Sequence, residues 1–351
     1  MIQREYLASD CRRSYNAKVK HQFESCHCNA ANMNVAYLIL AHHQPRHLAR
    51  LIKALDCEWA YFFIHIDQKA DVRPFLEALP AARNIVYLHG SRRVRVHWGG
   101  MSMVHATLHL IREARAATPH FGRYCLLSGS DFPIKNTHFI YEQFNFEQEF
   151  IRIDRQLFSP GAEFHSRLVA RYHFPDNPWL NPKTAPVKIL PRLADCLSSC
   201  IPRNRYKKTP LFHGSQWWAL TGRCVEAVLK FLARNADYTR FHKYALLADE
   251  TFFHSIIADS PFAGNIVHNY VNGPPRGPAA NDYGAHYIDW TARGAHPKVL
   301  TLSDWPELVR SGALFARKFE ESGSAFLTSR LEAAIQRADA VSAPNSLKKL
   351  Q

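Results

Sequence analysis

Residues 125–135 read Cys125-Leu126-Leu127-Ser128-Gly129-Ser130-Asp131-Phe132-Pro133-Ile134-Lys135, an apolar run that ends abruptly in small and acidic residues. Such a run is typical of a β-strand that is buried on both faces. Because open α/β sheets bind ligands at the carboxyl ends of their strands, a ligand site is expected near Ser128 to Asp131. The stretch therefore predicts a type of fold and the position of a site, but not what the site binds.

The preceding sequence repeats this pattern of buried strands. Residues 35–41, 61–67 and 85–88 are short apolar runs, and the first two lead directly into polar groups. Between them, apolar residues recur at helical spacing, as in residues 48–55. Strands that alternate with helices predict an α/β fold, a mostly parallel central sheet with helices on both faces.

The 351 residues, 47% of them hydrophobic, suffice for one large domain. The sequence shows no internal repeat and no long linker, so we predict a single domain over residues 33–330. Residues 1–32 are polar and irregular, and we expect them to form a poorly ordered extension. Residues 331–351 are expected to form a C-terminal helix or tail.

Lys and Arg exceed Asp and Glu by 14, a charge that suits sugar nucleotides, nucleic acid or an anionic membrane surface. A solvated basic surface explains the charge equally well. No apolar run approaches the roughly 20 residues of a membrane span, and no signal peptide is recognised. Nothing in the cysteine spacing demands disulfides. These features favour a location in the cytoplasm or at the inner face of a membrane.

The region from about 150 to 210 is rich in proline, and long regular elements are not expected there. Within it, residues 187–201 fit a short amphipathic helix that precedes a basic run, Arg203, Arg205, Lys207 and Lys208. One interpretation is a contact with an anionic membrane. The other is a solvated loop.

Two acidic residues, Asp249 and Glu250, precede a predicted helix over residues 251–257. The positive end of a helix dipole keeps a carboxylate ionised, as a general base must be. Ordinary capping of the helix by acidic residues explains the same pattern.

The C-terminal part carries a series of basic residues, namely Arg293, Lys298, Arg310, Arg317 and Lys318. Lys318 lies among apolar neighbours that would hold its ammonium beside a buried site. A fixed cation there would stabilise a diphosphate leaving group. The alternative is an amphipathic helix with exposed charges.

The chain lacks the glycine-rich phosphate loops, the Gly-x-Ser-x-Gly nucleophile elbow and the His-Glu-x-x-His zinc motif. It also lacks an Asp-x-Asp motif, with which many nucleotide-sugar transferases hold a divalent cation. Its absence means either that the protein is not such an enzyme or that cations replace the metal, and we expect no metal and no cofactor.

Seven segments, in order, resemble the core-2/I-branching β-1,6-N-acetylglucosaminyltransferases and their peptide O-xylosyltransferase relatives. The resemblance covers residues 34 to 325, and the most specific match is residues 128–135. The other segments are residues 36–43, 64–69, 98–100, 212–218, 248–250 and 314–320. It implies a GT-A-type fold and an inverting, metal-independent transfer of a sugar, GlcNAc or xylose, from a UDP-sugar to a hydroxyl.

The resemblance also implies roles for individual residues. Glu250 would deprotonate the acceptor hydroxyl, and Lys318 would stabilise the UDP leaving group. The second cation of the family falls in register on Ala295, so Arg293 or Lys298 must replace it. The remaining assignments are Asp67, His42 and Trp98 to the donor, and Arg167, Arg171, Trp217, Trp218 and Asp131 to the acceptor side.

The sequence departs from animal members of this family, since it shows no membrane anchor and no disulfide framework. A bacterial-type enzyme that acts on a glycan or lipid-linked acceptor, as in polysaccharide biosynthesis, fits better. A peripheral membrane contact would be compatible with such an acceptor. Two alternatives remain open: a basic nucleic-acid-binding protein, and a non-catalytic glycan-binding relative.

Overall fold

The computed structural model describes residues 33–271, 273, 281–291 and 296–342. From Asn34 onward the described residues belong to one compact unit. The predicted extension at residues 1–32 and the end of the predicted tail, residues 343–351, lie outside the described residues.

An eight-stranded sheet forms the centre of this unit, with its main path in the order β3-β2-β1-β4-β8-β6-β7 and β9 paired with β6. Strands β3, β2, β1 and β4 run parallel, whereas β8, β6 and β7 extend the sheet through antiparallel pairs. These strands are β1 Val35–Ala41, β2 Ala60–Ile66, β3 Ile85–Tyr87, β4 Arg123–Ser128, β6 Glu149–Gln156, β7 Phe212–Gly214, β8 Ala219–Thr221 and β9 Ile266–Asn269.

A second, four-stranded sheet has the order β10-β11-β12-β5 and lies at the carboxyl end of β4. Its strands are β5 Phe132–Pro133, β10 Asp282–Tyr283, β11 His286–Ile288 and β12 Phe315–Arg317. Strand β5 directly follows the Ser128–Asp131 turn and pairs with β12. This pairing brings the C-terminal basic residues to the sheet edge where β4 ends.

The helices of the described residues are numbered in chain order. They are α1 Pro45–Leu55, α2 Arg73–Ala78, α3 Met101–Ala116, α4 Thr137–Phe144, α5 Glu163–Ala170, α6 Ile189–Ser199, α7 Gly222–Arg234, α8 Ala236–His242, α9 Phe252–Ala258, α10 Trp305–Arg310 and α11 Ala325–Ser342.

Strand β1 is buried along its whole length because elements cover both of its faces. Leu38 belongs to the same core cluster as Val104 and Leu108 of α3. On the opposite face, Tyr37 stacks on Phe62 at 5.4 Å and meets Phe315 of β12 edge-on. A strand with both faces buried must be apolar throughout, which is why this run was recognisable in the sequence.

The α/β prediction is confirmed, with a sheet whose first half is wholly parallel. The predicted first strand matches β1 residue for residue, and the fourth ends at Ser128 as expected. The short helix expected within residues 187–201 is confirmed as residues 189–199, whereas the alternative helix around Lys318 is wrong, because residues 315–317 form strand β12.

Arg123, at the start of β4, is fully buried and holds the loop that follows α4. Its guanidinium donates hydrogen bonds to the carbonyl oxygens of Phe144, Gln148 and Ala219, at 2.7, 2.6 and 3.3 Å. Burial lowers the pKa of Arg123 to about 10, against the opposing effect of Glu149.

We expect Arg123→Met to lower the free energy of unfolding by about 3 kcal/mol or more, because several buried carbonyls lose their donor. Urea denaturation followed by circular dichroism measures this change. Arg112→Met, on the exposed side of α3, is the matched control and should change stability little. Equal stability of the two variants would contradict the role given to Arg123.

Candidate active site

The carboxyl ends of the parallel strands meet at one edge of the central sheet, as the sequence predicted. Ala41 is paired with Ile66 in the register of β1 and β2, and Leu40 with Ser128 in that of β1 and β4. His42, Asp67 and the turn from Ser128 to Asp131 therefore lie at the same edge. This edge provides the frame for the candidate active site.

Lys318 follows β12 and points a partly exposed ammonium group toward this edge. Its Nζ donates a hydrogen bond to Oε1 of Glu320 at 2.9 Å. Burial lowers the pKa of His42, and the adjacent His43 and the charge of Lys318 add to the effect. The imidazole of His42 is therefore neutral beside a cation.

Lys183 provides a second cation that sequence reasoning missed. Its Nζ lies 4.7 Å from the centre of the Trp98 ring and 3.4 Å from Nδ1 of His296. Burial lowers the pKa of Lys183, and the charge of Lys318 lowers it further. The two lysines thus lie near enough to repel each other, and an anion between them would relieve that repulsion. We call Lys183, Lys318, His42, His296 and Trp98 the cation cluster.

Lys298, one of the two residues predicted as the second cation, does not join this cluster. The Nζ of Lys298 lies 2.5 Å from Asp304 and 3.8 Å from Asp289, so two carboxylates already neutralise it. The hydrogen bond to Asp304 accordingly raises the pKa of Lys298. Arg293 lies outside the described residues. Lys183 escaped prediction because it lies in the proline-rich segment, with no local pattern to indicate its neighbours.

Asp67 and Trp98 were both predicted on the donor side; Trp98 contacts Lys183 of the cluster, and Asp67 lies at the same sheet edge beside Lys69. The carboxylate of Asp67 is nearly buried and lies 3.5 Å from Nζ of Lys69. The ring of Trp98 is 36% exposed, which leaves part of one aromatic surface open beside Lys183. Their contacts with a donor remain predictions.

Glu250 ends a short 3-10 helix, Ala248–Glu250, that precedes α9. Its Oε2 lies 3.1 Å from Nε2 of His213 on β7, and its side chain is 29% exposed. A partly exposed carboxylate that accepts a hydrogen bond is oriented and still reachable by a substrate. This is the environment that a general base requires.

Asp249, beside it, is buried and has a different electrostatic state. Burial raises the pKa of Asp249, and the neighbouring carboxylate of Glu250 raises it further. Asp249 therefore holds its proton more strongly than an ordinary carboxyl group does. The sequence could not distinguish the two because they are adjacent and chemically alike.

Arg167 and Arg171, predicted to face an acceptor, line one cavity of about 510 Å³. The cavity lies between α5 and α6, and Leu246, four residues before Glu250, forms part of its wall. Arg171 is 3.7 Å from the carboxylate of Asp195. The structure thus brings the two arginines together near the Glu250 segment.

The other three residues predicted on the acceptor side are buried. Trp218 and Asp131 have no exposed surface, and Trp217 has only 8%. They offer almost no open surface in this structure, and their assignment to the acceptor side stays a prediction. Apolar and acidic residues at a strand end suggested a binding role, but here they serve packing.

Asp131 instead connects β4 to the second sheet. Its Oδ2 accepts hydrogen bonds from the backbone N–H of Ser128 at 2.7 Å and from Nε2 of His286 at 3.1 Å. Its Oδ1 lies 3.7 Å from Nε of Arg317, whose guanidinium covers the Trp217 ring at 4.1 Å. Because Arg317 directly precedes Lys318, this buried network fixes the position of Lys318.

Among the described residues, no group of three or more His, Cys, Asp or Glu is arranged to hold a metal ion. No helix in the described ranges is both long and apolar enough to cross a membrane.

Comparison with known proteins places these features in a family. The sequence is 24% identical to a xylosyltransferase of Ciona intestinalis over 297 residues and 26% identical to xylosyltransferase 2 of Rattus norvegicus over 304 residues. Each match covers 83% of this chain and 32% of the relative, so the chain spans about a third of the length of these curated relatives. The crystal structure of mouse xyloside xylosyltransferase 1 aligns with 80% of this chain at 12% identity, with a TM-score of 0.31.

The sequence model of the Core-2/I-Branching enzyme family matches residues 35–308. These residues include the central sheet, the cavity and Glu250, and they end before Lys318. The resemblance inferred from the sequence is thereby confirmed: the chain belongs to the Core-2/I-Branching enzyme family.

Proposed function

We propose that this protein is an inverting glycosyltransferase that transfers a sugar from a UDP-sugar to a hydroxyl group of a glycan or glycoconjugate, without a metal ion. One observation supports this most directly: the Trp98-Gly99-Gly100 turn contacts both the segment that leads into the candidate base and Lys183 of the cation cluster. The carbonyl oxygen of Gly99 accepts a hydrogen bond from the backbone N–H of Leu247 at 2.8 Å, and the Trp98 ring contacts Lys183. One turn thus contacts both the segment before the candidate base and a cation, which suits attack at one end of a bond and departure at the other.

In this mechanism Glu250 accepts the proton of the acceptor hydroxyl while its oxygen attacks the anomeric carbon. A single displacement of this kind inverts the configuration of that carbon. The hydrogen bond from His213 orients the Glu250 carboxylate. Asp249, whose pKa is raised by burial, is less suited to accept the proton because it is buried.

Lys318 and Lys183 stabilise the negative charge that develops on the diphosphate as it leaves. In this scheme, fixed ammonium groups supply the positive charge that a divalent cation supplies in metal-dependent nucleotide-sugar transferases. Asp67, at the end of β2, would then lie near the uridine.

The donor is UDP-GlcNAc or UDP-xylose. The names of the curated relatives favour xylose, whereas the family description includes branching enzymes. The acceptor is a glycan, and a lipid-linked glycan made during polysaccharide biosynthesis fits the basic cavity at Arg167 and Arg171. Family membership favours catalysis over the nucleic-acid-binding alternative.

Glu250→Gln should lower the rate of sugar transfer by about a hundredfold to ten-thousandfold, because an amide cannot take up the acceptor proton. UDP binding should persist, since the substitution leaves the cation cluster unchanged. Transfer is measured with a UDP-sugar by detection of released UDP, and UDP affinity by calorimetry. Glu307→Gln, an exposed residue of α10, is the matched control. Transfer within a few fold of the unmodified protein would exclude Glu250 as the base.

Lys318→Ala and Lys183→Ala should each weaken UDP binding by about tenfold to a hundredfold, as expected for one charge-assisted contact. Lys298→Ala is the discriminating control, because its ammonium is already bound by Asp304 and Asp289. Calorimetric titration with UDP measures the UDP affinity of all three variants. A loss of affinity in Lys298→Ala alone would show that the second cation has been misassigned.

EDTA should leave the rate of transfer unchanged, because the proposed leaving-group stabilisation comes from lysine side chains. The rate is measured before and after chelation, and again after addition of manganese. A rate that falls with EDTA and returns with manganese would contradict metal independence.

A further inference from the structure

Helix α6 exposes a row of apolar side chains that the proposed reaction does not use. Ile189, Leu193 and Leu197 on α6, and Ile201 two residues after its end, recur every fourth residue and are 52%, 51%, 69% and 55% exposed. Side chains four residues apart lie on the same face of a helix. Single exposed apolar residues are ordinary, but a contiguous row marks an interaction surface. We call these four residues the apolar row.

The apolar row has no packing role in the described structure. The side of α6 that packs against the protein carries Pro191 and Ser198, which are buried. The residues that contact the acceptor cavity, including Arg192 and Asp195, lie beside the row and not within it. The row is therefore free to meet another surface.

The surroundings of the row are strongly basic. Residues 183–208 contain seven Lys and Arg and one acidic residue, Asp195. Some of these cations are engaged internally: Arg203 donates hydrogen bonds to the carbonyl oxygens of Val169 and Arg171, both at 2.7 Å. Lys188 and Arg192 of this segment are exposed. The surface thus combines apolar side chains with nearby positive charge.

We propose that α6 docks the protein on an anionic lipid surface. The helix lies in the plane of the interface, the apolar row enters the boundary between headgroups and acyl chains, and Lys188 and Arg192 remain at the level of the lipid phosphates. This combination distinguishes a lipid surface from a second copy of the chain, whose equally basic face would repel this one. The proposal does not depend on sugar transfer, because it concerns a surface outside the reacting groups.

Vesicle co-sedimentation of the full chain tests the proposal directly. Vesicles of phosphatidylcholine with phosphatidylglycerol should bind the protein, vesicles of phosphatidylcholine alone should bind it much less, and added salt should weaken the binding. Leu193→Glu combined with Leu197→Glu should lower the vesicle-bound fraction by about tenfold or more, since two side chains that would enter the lipid become charged.

The control places matched charges elsewhere on the surface. Val309 on α10 is 56% exposed and lies outside residues 183–208, so Val309→Glu combined with Leu302→Glu adds the same charge without altering the apolar row. This control should bind vesicles like the unmodified protein. Circular dichroism and the urea midpoint should show that both variants are folded.

Three outcomes would overturn the proposal. The first is equal vesicle binding by the Leu193→Glu/Leu197→Glu variant and the unmodified protein. The second is equal binding to anionic and neutral vesicles. The third is absence of vesicle binding together with a dimer, detected by light scattering, that the same variant dissociates; this result would assign the row to a second copy.

Discussion

The close packing around the Gly99-Gly100 backbone is the constraint on which the candidate site depends. Gly99 has a φ of +68°, a conformation that side chains disfavour. A Cβ atom at Gly100 would overlap the carboxylate of Asp176. That carboxylate instead accepts hydrogen bonds from the backbone N–H and the hydroxyl of Ser102, at the start of α3. Glycine at both positions therefore lets the proline-rich segment and the Glu250 segment approach the same turn.

The electrostatics of the site follow from this arrangement. Asp249 is buried beside Glu250, and this burial together with the neighbouring carboxylate raises the pKa of Asp249. On the side of the cation cluster, Lys183 lies in the segment that Asp176 anchors. Lys318 follows strand β12, which the buried Asp131 network holds in place. Opposite charges are thus supplied by separate elements, each fixed by buried polar contacts. Such fixed charges need little reorganisation during a reaction, which is the condition under which they stabilise a transition state well.

The sequence predicted those parts of the structure that have a local signal. The apolar run of β1 and the abrupt end of β4 at Ser128 reveal buried strands because burial on both faces demands continuous apolar residues. Glu250 was identified because residues 248–250 resemble a segment of the family, and the structure adds its contact with His213. Lys183 and the network of Asp131, His286 and Arg317 were not predicted, because their partners are distant in sequence. Lys298, by contrast, was predicted as a second cation because of its position in the sequence. That position does not reveal that the carboxylates of Asp304 and Asp289 already pair with its ammonium group.

The two proposals are connected through α6. One side of this helix, with Arg192 and Asp195, lines the cavity that contains Arg167 and Arg171. Its exposed surface carries the apolar row. If this row rests on a lipid surface, the cavity opens close to that surface, and Leu246 in its wall leads along the chain to Glu250. The cations of the cavity outnumber the single carboxylate of Asp195, which favours an acceptor with negative charge. A membrane-borne acceptor with a phosphate near its sugar would lie close to the lipid surface and would carry negative charge. Helix α6 would then contact the lipid with its apolar row and the acceptor headgroup with its cavity side.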